Sequence, residues 1–382
     1  MRVLHVINSL GGGGGAEQGL VREITNFTPE IESRVVTLYE DDTLFPPLAT
    51  KGVLARTLEL DSSHSGWNWP LGIRRLREVI EHFEPDVVHS SLASANLIAQ
   101  LATRRRGVPV LSTLTLSGDP ALMKTLQPGA GTRRAALLRG VSARAARSSH
   151  VWFRALTEDS KATTCAAMGI SESRVFVLPR GVPPIVETSA TRSSLGLPQS
   201  ARILLNVGRQ TAQKGHKYLI EAFRRVKSEI DTHLVILGQR GDGSRDLEDL
   251  IRLHDLEDSV TVVPFTPTPV DYYMTADVFV FTSLMEGLGT AVLEAMACGL
   301  PIVAFDIPPV REATRDGELA HLTPPGDLDA VATAVLKLIS GQARDHVKEA
   351  RTWVVENHSS SEIAHQLEGR LIELAENGSI NL

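Results

Sequence analysis

The sequence predicts an α/β protein built from two doubly wound domains in tandem that face a cleft. Short β-branched or apolar runs recur between longer, charged segments of helical periodicity, which is typical of βαβ units and parallel sheets. The same plan occurs in both halves of the chain, and a stretch rich in glycine, proline, serine and threonine separates them at 181–200. Because ligands of such sheets bind outside the carboxyl ends of the strands, we expect function in the strand-to-helix loops.

The two halves supply separate sets of predicted strands. Those of the first half are Val3–Asn8, Arg34–Tyr39, Asp86–His89, Val108–Thr113, Val151–Leu156 and Val175–Leu178. Those of the second half are Ile203–Val207, His233–Leu237, Val260–Phe265, Val278–Thr282, Pro301–Phe305 and Ala320–Thr323. We therefore predict one domain over 1–184 and a second over 185–360.

Length and composition agree with two globular domains. The chain has 382 residues, of which 42% are hydrophobic and 22% charged, so it can bury a large core and is not disordered. The two cysteines, Cys165 and Cys298, cannot build a disulfide framework or a thiolate metal site, which favours a reducing compartment.

The amino terminus predicts no export signal, because the apolar run Val3–Ile7 is short and is followed by polar residues and glycines. The longest uncharged window, 87–103, contains a histidine, several serines and two amide side chains, so it does not predict a membrane span. We expect a cytoplasmic protein.

A run of glycines follows the first predicted strand and precedes a helix that begins near Ala16. Glycine permits close backbone approach, and a helix N-terminus offers N–H groups to an anion. Gly12, Gly13 and Gly14 are therefore candidates for phosphate contact, with a flexible turn as the alternative. The spacing is not a clean dinucleotide fingerprint, because no acidic residue is placed convincingly after the second strand.

A second loop, 207–215, again follows a strand and precedes a helix. It contains Arg209, which can bind phosphate oxygens as a fork, and Lys214, which supplies a point charge. Together they would suit a diphosphate. Alone, each cation would more often be a solvated surface charge.

The third loop and its helix, 286–301, give the most specific pattern. Glu286 precedes the predicted helix and Glu294 lies within it, so the two carboxylates can bind hydroxyls of a sugar and of a ribose. The alternative is a pair of solvated glutamates at a helix end. Backbone donors at the helix start would bind a phosphate or a hydroxyl, and these candidates are Gly287, Leu288, Gly289 and Thr290.

These motifs resemble family 4 (group 1) glycosyltransferases, which are retaining enzymes of the two-domain GT-B fold. The resemblance is carried by Gly-Gly-Ala-Glu near the start, Pro-Asp-Val-Val-His at 85–89, Val-Gly-Arg and Gln-Lys-Gly-His within 207–216, and the glutamate-rich motif at 286–304. It extends over essentially the whole chain and is strongest from about residue 200 to 330.

The resemblance implies roles for the candidate residues. Arg209 and Lys214 would hold the donor diphosphate, Glu286 the donor sugar and Glu294 the ribose. The first domain would bind the acceptor and the second the nucleotide-sugar donor. The last helix would return to pack on the first domain, as Trp353 to Leu374 could do, and we assign residues 361–382 to this returning segment.

The sequence departs from the family pattern where catalytic histidines are expected. Members commonly carry His-x-His after the third predicted strand and a further histidine in the following strand. This chain has His89-Ser90-Ser91 at the first place and Thr115 near the second. His89 and Ser91 are the remaining catalytic candidates, and a packed strand-end histidine is the alternative for His89.

A basic segment, 133–147, predicts an amphipathic helix whose Arg133, Arg139 and Arg144 could face an anionic membrane; a solvated helix face is the alternative. No histidine or cysteine spacing predicts a metal site. No cofactor is expected apart from the nucleotide-diphosphate sugar itself, and no nucleic-acid partner.

The sequence thus predicts a cytoplasmic, metal-independent, retaining glycosyltransferase, located at the inner face of the membrane if the basic helix docks there. It would move a sugar from a nucleotide-diphosphate sugar to a glycan or a polyprenyl- or other lipid-linked acceptor in cell-surface polysaccharide or glycolipid synthesis. Two alternatives stay open. One is a donor-binding partner subunit of weak catalytic power, and the other is a sugar-nucleotide epimerase of the same fold.

Overall fold

The computed structural model describes residues 1–11, 14–40, 43–61, 68–115, 133–186, 188–266, 268–342 and 346–381. The chain forms two compact units. One consists of Met1–Gly181 together with Ser360–Leu382, and the other of Val182–Ser359. The divisions that the sequence predicts after residues 184 and 360 lie within a few residues of these boundaries.

The first unit contains a seven-stranded parallel sheet in the order β3-β2-β1-β4-β5-β6-β7. Its strands are β1 (Arg2–Ile7), β2 (Glu32–Thr37), β3 (Leu54–Thr57), β4 (Val87–Ser91), β5 (Val110–Leu114), β6 (Val151–Ala155) and β7 (Val175–Val177). All the predicted strands are confirmed, with ends that differ by up to a few residues. Strand β3 was missed because it is an edge strand whose Leu54 is 65% exposed, so it shows no continuous apolar run.

Helices pack on both faces of this sheet. The first part of the chain supplies α1 (Gly15–Thr25), α2 (Phe45–Ala49), α3 (Trp69–Phe83), α4 (Ala93–Thr103), α5 (Arg133–Ala146) and α6 (Glu158–Met168). On one face, Leu4, Val6 and Val88 pack against buried side chains of α3 and α4. Continuous apolar strands covered on both faces are what a parallel sheet requires.

The second unit contains a six-stranded parallel sheet in the order β10-β9-β8-β11-β12-β13. Its strands are β8 (Arg202–Val207), β9 (Thr232–Leu237), β10 (Val260–Val263), β11 (Val278–Phe281), β12 (Ile302–Phe305) and β13 (His321–Thr323). Its helices are α7 (His216–Lys227), α8 (Ser244–Leu253), α9 (Pro269–Thr275), α10 (Thr290–Ala297), α11 (Pro308–Ala313), α12 (Leu328–Ile339) and α13 (Val347–Asn357). Both predicted doubly wound domains are therefore confirmed.

The last helix, α14 (Ser360–Asn377), belongs to the first unit, as predicted. Leu367 and Leu371 are buried with Val3 and Val87, and the Glu368 carboxylate accepts from the Thr28 backbone N–H at 3.0 Å. The expectation that one helix runs through 353–374 is wrong, because two helices share this range. The helix breaks at 358–359, because that segment lies beside Val182, whose N–H donates to the His358 carbonyl at 2.7 Å.

Candidate active site

The strand order of the second sheet reverses between β8 and β11. From β8 the chain moves outward to β9 and β10, and it then returns to the other side of β8 to form β11, β12 and β13. The carboxyl ends of the two strands at such a reversal form the usual ligand crevice of an open α/β sheet. The predicted loops at 207–215 and 282–289 follow these two strands.

Hydrogen bonds join the two loops. The Leu284 backbone N–H donates to the Gln213 carbonyl at 2.9 Å, and the Gln213 side-chain amide (Nε2) donates to the Met285 carbonyl at 3.1 Å. Gly215 has a φ of +66°, and a Cβ atom at that position would lie 2.0 Å from the Thr282 carbonyl oxygen. Because only glycine fits this close approach, Gly215 allows the loop after β8 to pack directly against the end of β11.

Lys214 and Glu286 meet at this edge. The Lys214 Nζ donates to Glu286 Oε1 at 2.5 Å, and the two side chains are 18% and 11% exposed. The Lys214 ammonium also lies 5.5 Å from the centre of the Phe281 ring. A cation and a carboxylate predicted separately from two distant motifs thus form one half-buried ion pair.

Helix α10 begins at Thr290, four residues after Glu286. Its N-cap is Gly289, with a φ of +82° and no side-chain cap, and the residues from Glu286 to Gly289 are buried. A helix N-terminus without a side-chain cap presents N–H groups to an anion. Thr290, the first helical residue, is partly exposed. The predicted backbone donors at 287–290 are consecutive residues and therefore lie together at the start of α10.

Two further candidates lie near this loop pair. Arg209 is partly buried in the loop after β8. Glu294 lies on α10, where its Oε2 accepts from the Tyr273 hydroxyl at 3.1 Å. His216, which the sequence analysis did not assign, opens α7; burial and the nearby Lys214 charge lower its pKa to about 4, so it is neutral at pH 7.

The first sheet reverses between β1 and β4. Gly12 and Gly13 lie outside the described residues. Gly14 is the N-cap of α1, in an extended conformation and without a side-chain cap. Ser91 ends β4 and is 1% exposed, and Leu92, the N-cap of α4, has a φ of +76°, which is strained for a residue other than glycine. The described side chains at the end of β4 carry no charge.

His89 is a packed histidine, the alternative that the sequence left open. It is 1% exposed; its Nδ1 lies 3.2 Å from His5 Nδ1, and its Nε2 lies 2.9 Å from the Thr113 hydroxyl. Burial, and next the charges of Arg154 and Arg180, lower its pKa to about 3. This geometry does not support a catalytic role for His89, because both ring nitrogens are engaged inside the sheet.

Buried charges beneath α1 were missed from the sequence. Arg154 forms an ion pair with Glu23 at 2.8 Å and donates to the Leu178 carbonyl, also at 2.8 Å. Arg180 is buried, donates to the Gly15 carbonyl at 2.6 Å, and occupies the space beside Gly19. The signal was present in β6, where an arginine interrupts an otherwise apolar strand.

Neither a metal site nor a membrane-spanning helix is found in the described part of the chain. Among the described residues, no group of three or more histidine, cysteine, aspartate and glutamate side chains is arranged to hold a metal ion. In the same part of the chain, no helix is both long and apolar enough to span a bilayer.

A reversal point that carries a cation, a carboxylate and a helix N-terminus is typical of α/β proteins that bind anionic ligands such as nucleotides. Family models narrow the class. "Glycosyl transferases group 1" matches residues 187–357, and "Glycosyl transferase 4-like domain" matches residues 14–181. The chain belongs to the group 1 glycosyltransferases and has their GT-B fold.

Individual relatives agree with the family. The chain is 31% identical over 297 residues to a D-inositol 3-phosphate glycosyltransferase of Geodermatophilus obscurus, covering 71% of this chain and 65% of the relative. It is 33% identical over 185 residues to the amylovoran biosynthesis glycosyltransferase AmsK of Erwinia amylovora, covering 46% of this chain and 45% of AmsK. The match thus spans less than two thirds of either relative.

Among solved structures, Anabaena HepE in complex with UDP and glucose superposes with a TM-score of 0.80. The sequences are 19% identical, and the match covers 98% of this chain and 100% of HepE. At this identity the likeness establishes the fold.

Proposed function

We propose that this chain transfers a sugar, with retention of anomeric configuration and without a metal ion, from a nucleotide-diphosphate sugar to a hydroxyl group of an acceptor. The observation that carries the proposal is the Lys214–Glu286 pair at the reversal point of the second sheet, beside the N-terminus of α10. The lysine and the helix N-terminus suit the diphosphate of such a donor, and the carboxylate suits the hydroxyl groups of its sugar.

The cationic part serves the leaving group. When the bond between C1 of the sugar and the diphosphate oxygen breaks, the electron pair remains on the oxygen. Lys214 and Arg209 stabilise the charge that develops there, together with the N–H groups at the start of α10. Because these positive groups belong to the chain, no metal is needed for this step, and no cofactor is needed besides the donor.

The carboxylates serve the hydroxyl groups. Glu286 accepts hydrogen bonds from the transferred sugar, and Glu294 accepts from the ribose. The acceptor hydroxyl then forms the new bond to C1 on the face that the diphosphate leaves, and its proton passes to the departing phosphate oxygen. No protein base is required, since the leaving group itself accepts the proton.

The relatives support a donor class and an acceptor class. HepE was solved with UDP and glucose, and AmsK is an amylovoran biosynthesis glycosyltransferase, which supports a uridine diphosphate sugar and a glycan acceptor. We extend the proposal to glycans linked to polyprenyl or another lipid. The first unit would take the acceptor. In α5, Leu137 is 68% exposed and Arg139 and Arg144 are exposed, which suits peripheral contact with an anionic membrane from the cytoplasm.

A second function, a donor-binding partner subunit of weak catalytic power, is favoured by one observation. At the end of β4 the expected histidine is Ser91, a buried hydroxyl that cannot carry charge, and His89 is packed inside the sheet. Ser91→His separates the two functions. A transferase should lose activity or be unaffected, whereas a weak partner should gain donor hydrolysis.

The direct test is incubation of the protein with nucleotide sugars and lipid-linked acceptors, followed by NMR of the product. We expect a product with the anomeric configuration of the donor, formed equally well in the presence of a chelator. Lys214→Ala should abolish the product, and Lys217→Ala, which removes an exposed lysine of α7, should not. Inversion, strict dependence on a divalent cation, or full activity of Lys214→Ala would overturn the proposal.

A further inference from the structure

The carboxylate of Glu294 is held by a tyrosine that no motif singled out. The Tyr273 hydroxyl donates to Glu294 Oε2 at 3.1 Å, and it lies 3.4 Å from the Ala291 carbonyl one helical turn earlier. A phenol hydrogen bond takes one of about four acceptor positions of a carboxylate, and so it fixes the plane of the group without exhausting its capacity.

Tyr273 is itself rigidly placed. Its side chain is buried, and its ring packs against Phe279 of β11 with ring centres 5.8 Å apart. A buried aromatic ring packed in this way loses its freedom to change rotamer. The hydroxyl therefore has a fixed position relative to α10.

The helix that carries Tyr273 is tied down at both ends. At the start of α9, the Thr188 hydroxyl donates to the Asp271 carboxylate. At its end, the Arg192 Nε donates to the Thr275 carbonyl at 3.0 Å, and Arg192 Nη2 forms a 2.7 Å ion pair with Asp277. The contacts at the end of α9 tie it to the start of β11, at the amino-terminal edge of the sheet, and so they fix the helix that carries Tyr273.

We propose that Tyr273 is a positioning residue that makes this site select ribonucleotides over deoxyribonucleotides. Rigid orientation of the Glu294 carboxylate lets it accept from the neighbouring hydroxyls of a ribose at little entropic cost. A deoxyribose supplies only one of these hydroxyls and gains less from the orientation. The inference rests on the proposed donor function and on the role of Glu294 in it.

The test is calorimetric titration with the diphosphates of uridine, adenosine and guanosine, each beside its 2′-deoxy form. Wild type should bind one ribonucleoside diphosphate about tenfold or more tightly than its deoxy form. Tyr273→Phe should weaken the ribo form by about 10-fold, the lower end of the range for one hydrogen bond to a charged group, and the deoxy form less. The preference should therefore shrink.

Tyr272→Phe is the matched control, since it removes the same atom from the adjacent residue of α9, and it should leave both affinities unchanged. Glu294→Gln should shrink the preference as Tyr273→Phe does, and the two changes together should do little more than either alone. In a transfer assay, Tyr273→Phe should raise KM with kcat nearly unchanged.

Three results would overturn the inference. An unchanged preference in Tyr273→Phe shows that the phenol does not act through Glu294. Equal weakening of both forms shows a structural role only. If wild type binds a diphosphate through Lys214 but shows no preference for ribose, this inference fails and the proposed function stands; if no nucleoside diphosphate binds at all, both fail.

Discussion

Two ion pairs, one in each unit, differ in their exposure to solvent. This difference distinguishes a structural pair from a pair that a ligand can reach. In the first unit, Arg154 and Glu23 are 0% and 3% exposed and lie beneath α1. In the second unit, Lys214 and Glu286 are 18% and 11% exposed and lie at the carboxyl edge of the sheet. A fully buried pair has no access to a substrate, whereas a partly exposed pair at a strand reversal can exchange its partner for a ligand.

The same contrast extends to the two sheet edges. The second edge carries a lysine, two carboxylates and a helix N-terminus, all suited to a charged donor. At the first, Ser91 ends its strand as a buried hydroxyl, and the neighbouring histidine lies inside the sheet. The contrast indicates that, under the proposed function, the charged groups that would bind the donor lie on the second sheet.

The largest expected effect concerns the buried pair. Arg154→Met removes the ion-pair partner of the buried Glu23 carboxylate, although the charge of Arg180 still acts on it, and breaking a buried pair typically destabilises a protein by up to about 3–5 kcal/mol. We expect urea denaturation to show a loss of this size. The protein that remains folded should bind nucleoside diphosphate as wild type does. A large loss of affinity with little loss of stability would contradict the structural role assigned to the Arg154–Glu23 pair.

The next effect concerns the Lys214–Glu286 pair, where we expect a change in catalysis rather than in stability. Glu286→Gln removes the carboxylate that competes with phosphate for Lys214, so the affinity for nucleoside diphosphate should stay the same or rise. Turnover should fall by about 100-fold or more, because the hydrogen bonds to the transferred sugar weaken in the transition state. Steady-state kinetics alongside calorimetry measure both; a parallel fall in affinity and turnover would argue against this role.

The buried histidines of the first unit predict acid sensitivity. Burial lowers the pKa of His5 and brings that of His89 to about 3, so both are neutral in the native state while the unfolded chain takes up protons below about pH 6.5. Stability is therefore present above pH 6.5 and is lost as the pH falls towards 3. Between pH 6.5 and 5 we expect a loss of about 2 kcal/mol from His89, and a further loss in the same direction from His5.

Urea denaturation across this pH range checks the prediction. His89→Gln should remove about one proton from the slope of unfolding free energy against pH. His365→Gln, which alters an exposed histidine of α14, should leave the slope unchanged. A slope in His89→Gln equal to that of wild type would show that His89 is not held neutral in the core.

The smallest expected effect is at the membrane. Exposed Arg139 and Arg144 of α5 should favour anionic vesicles by about 1 kcal/mol each at low salt, and high salt should screen this attraction. Vesicle flotation of wild type and of the Arg139→Gln, Arg144→Gln variant measures it. Equal recovery with neutral and anionic lipid would identify α5 as a solvated helix.

Much of this arrangement could be predicted from the sequence, for physical reasons. Parallel strands buried on both faces are continuous apolar runs, and so their order along the chain was visible; β3, with exposed Leu54, was not. Lys214 and Glu286 lie in glycine-containing loops with strong local signals. Their mutual contact, the Tyr273–Glu294 hydrogen bond and the packing of His89 against His5 depend on residues far apart in sequence, which periodicity cannot pair.

The most direct test of the central claim, that the donor binds at the charged edge of the second sheet, compares one substitution at each edge by calorimetry with uridine diphosphate. Lys214→Ala should weaken binding by about 100-fold or more, since it removes a charge-assisted phosphate contact and the cation that offsets the Glu286 charge beside the ligand. Ser91→Ala should bind as wild type does. If Ser91→Ala loses affinity while Lys214→Ala keeps it, the donor site has been assigned to the wrong edge.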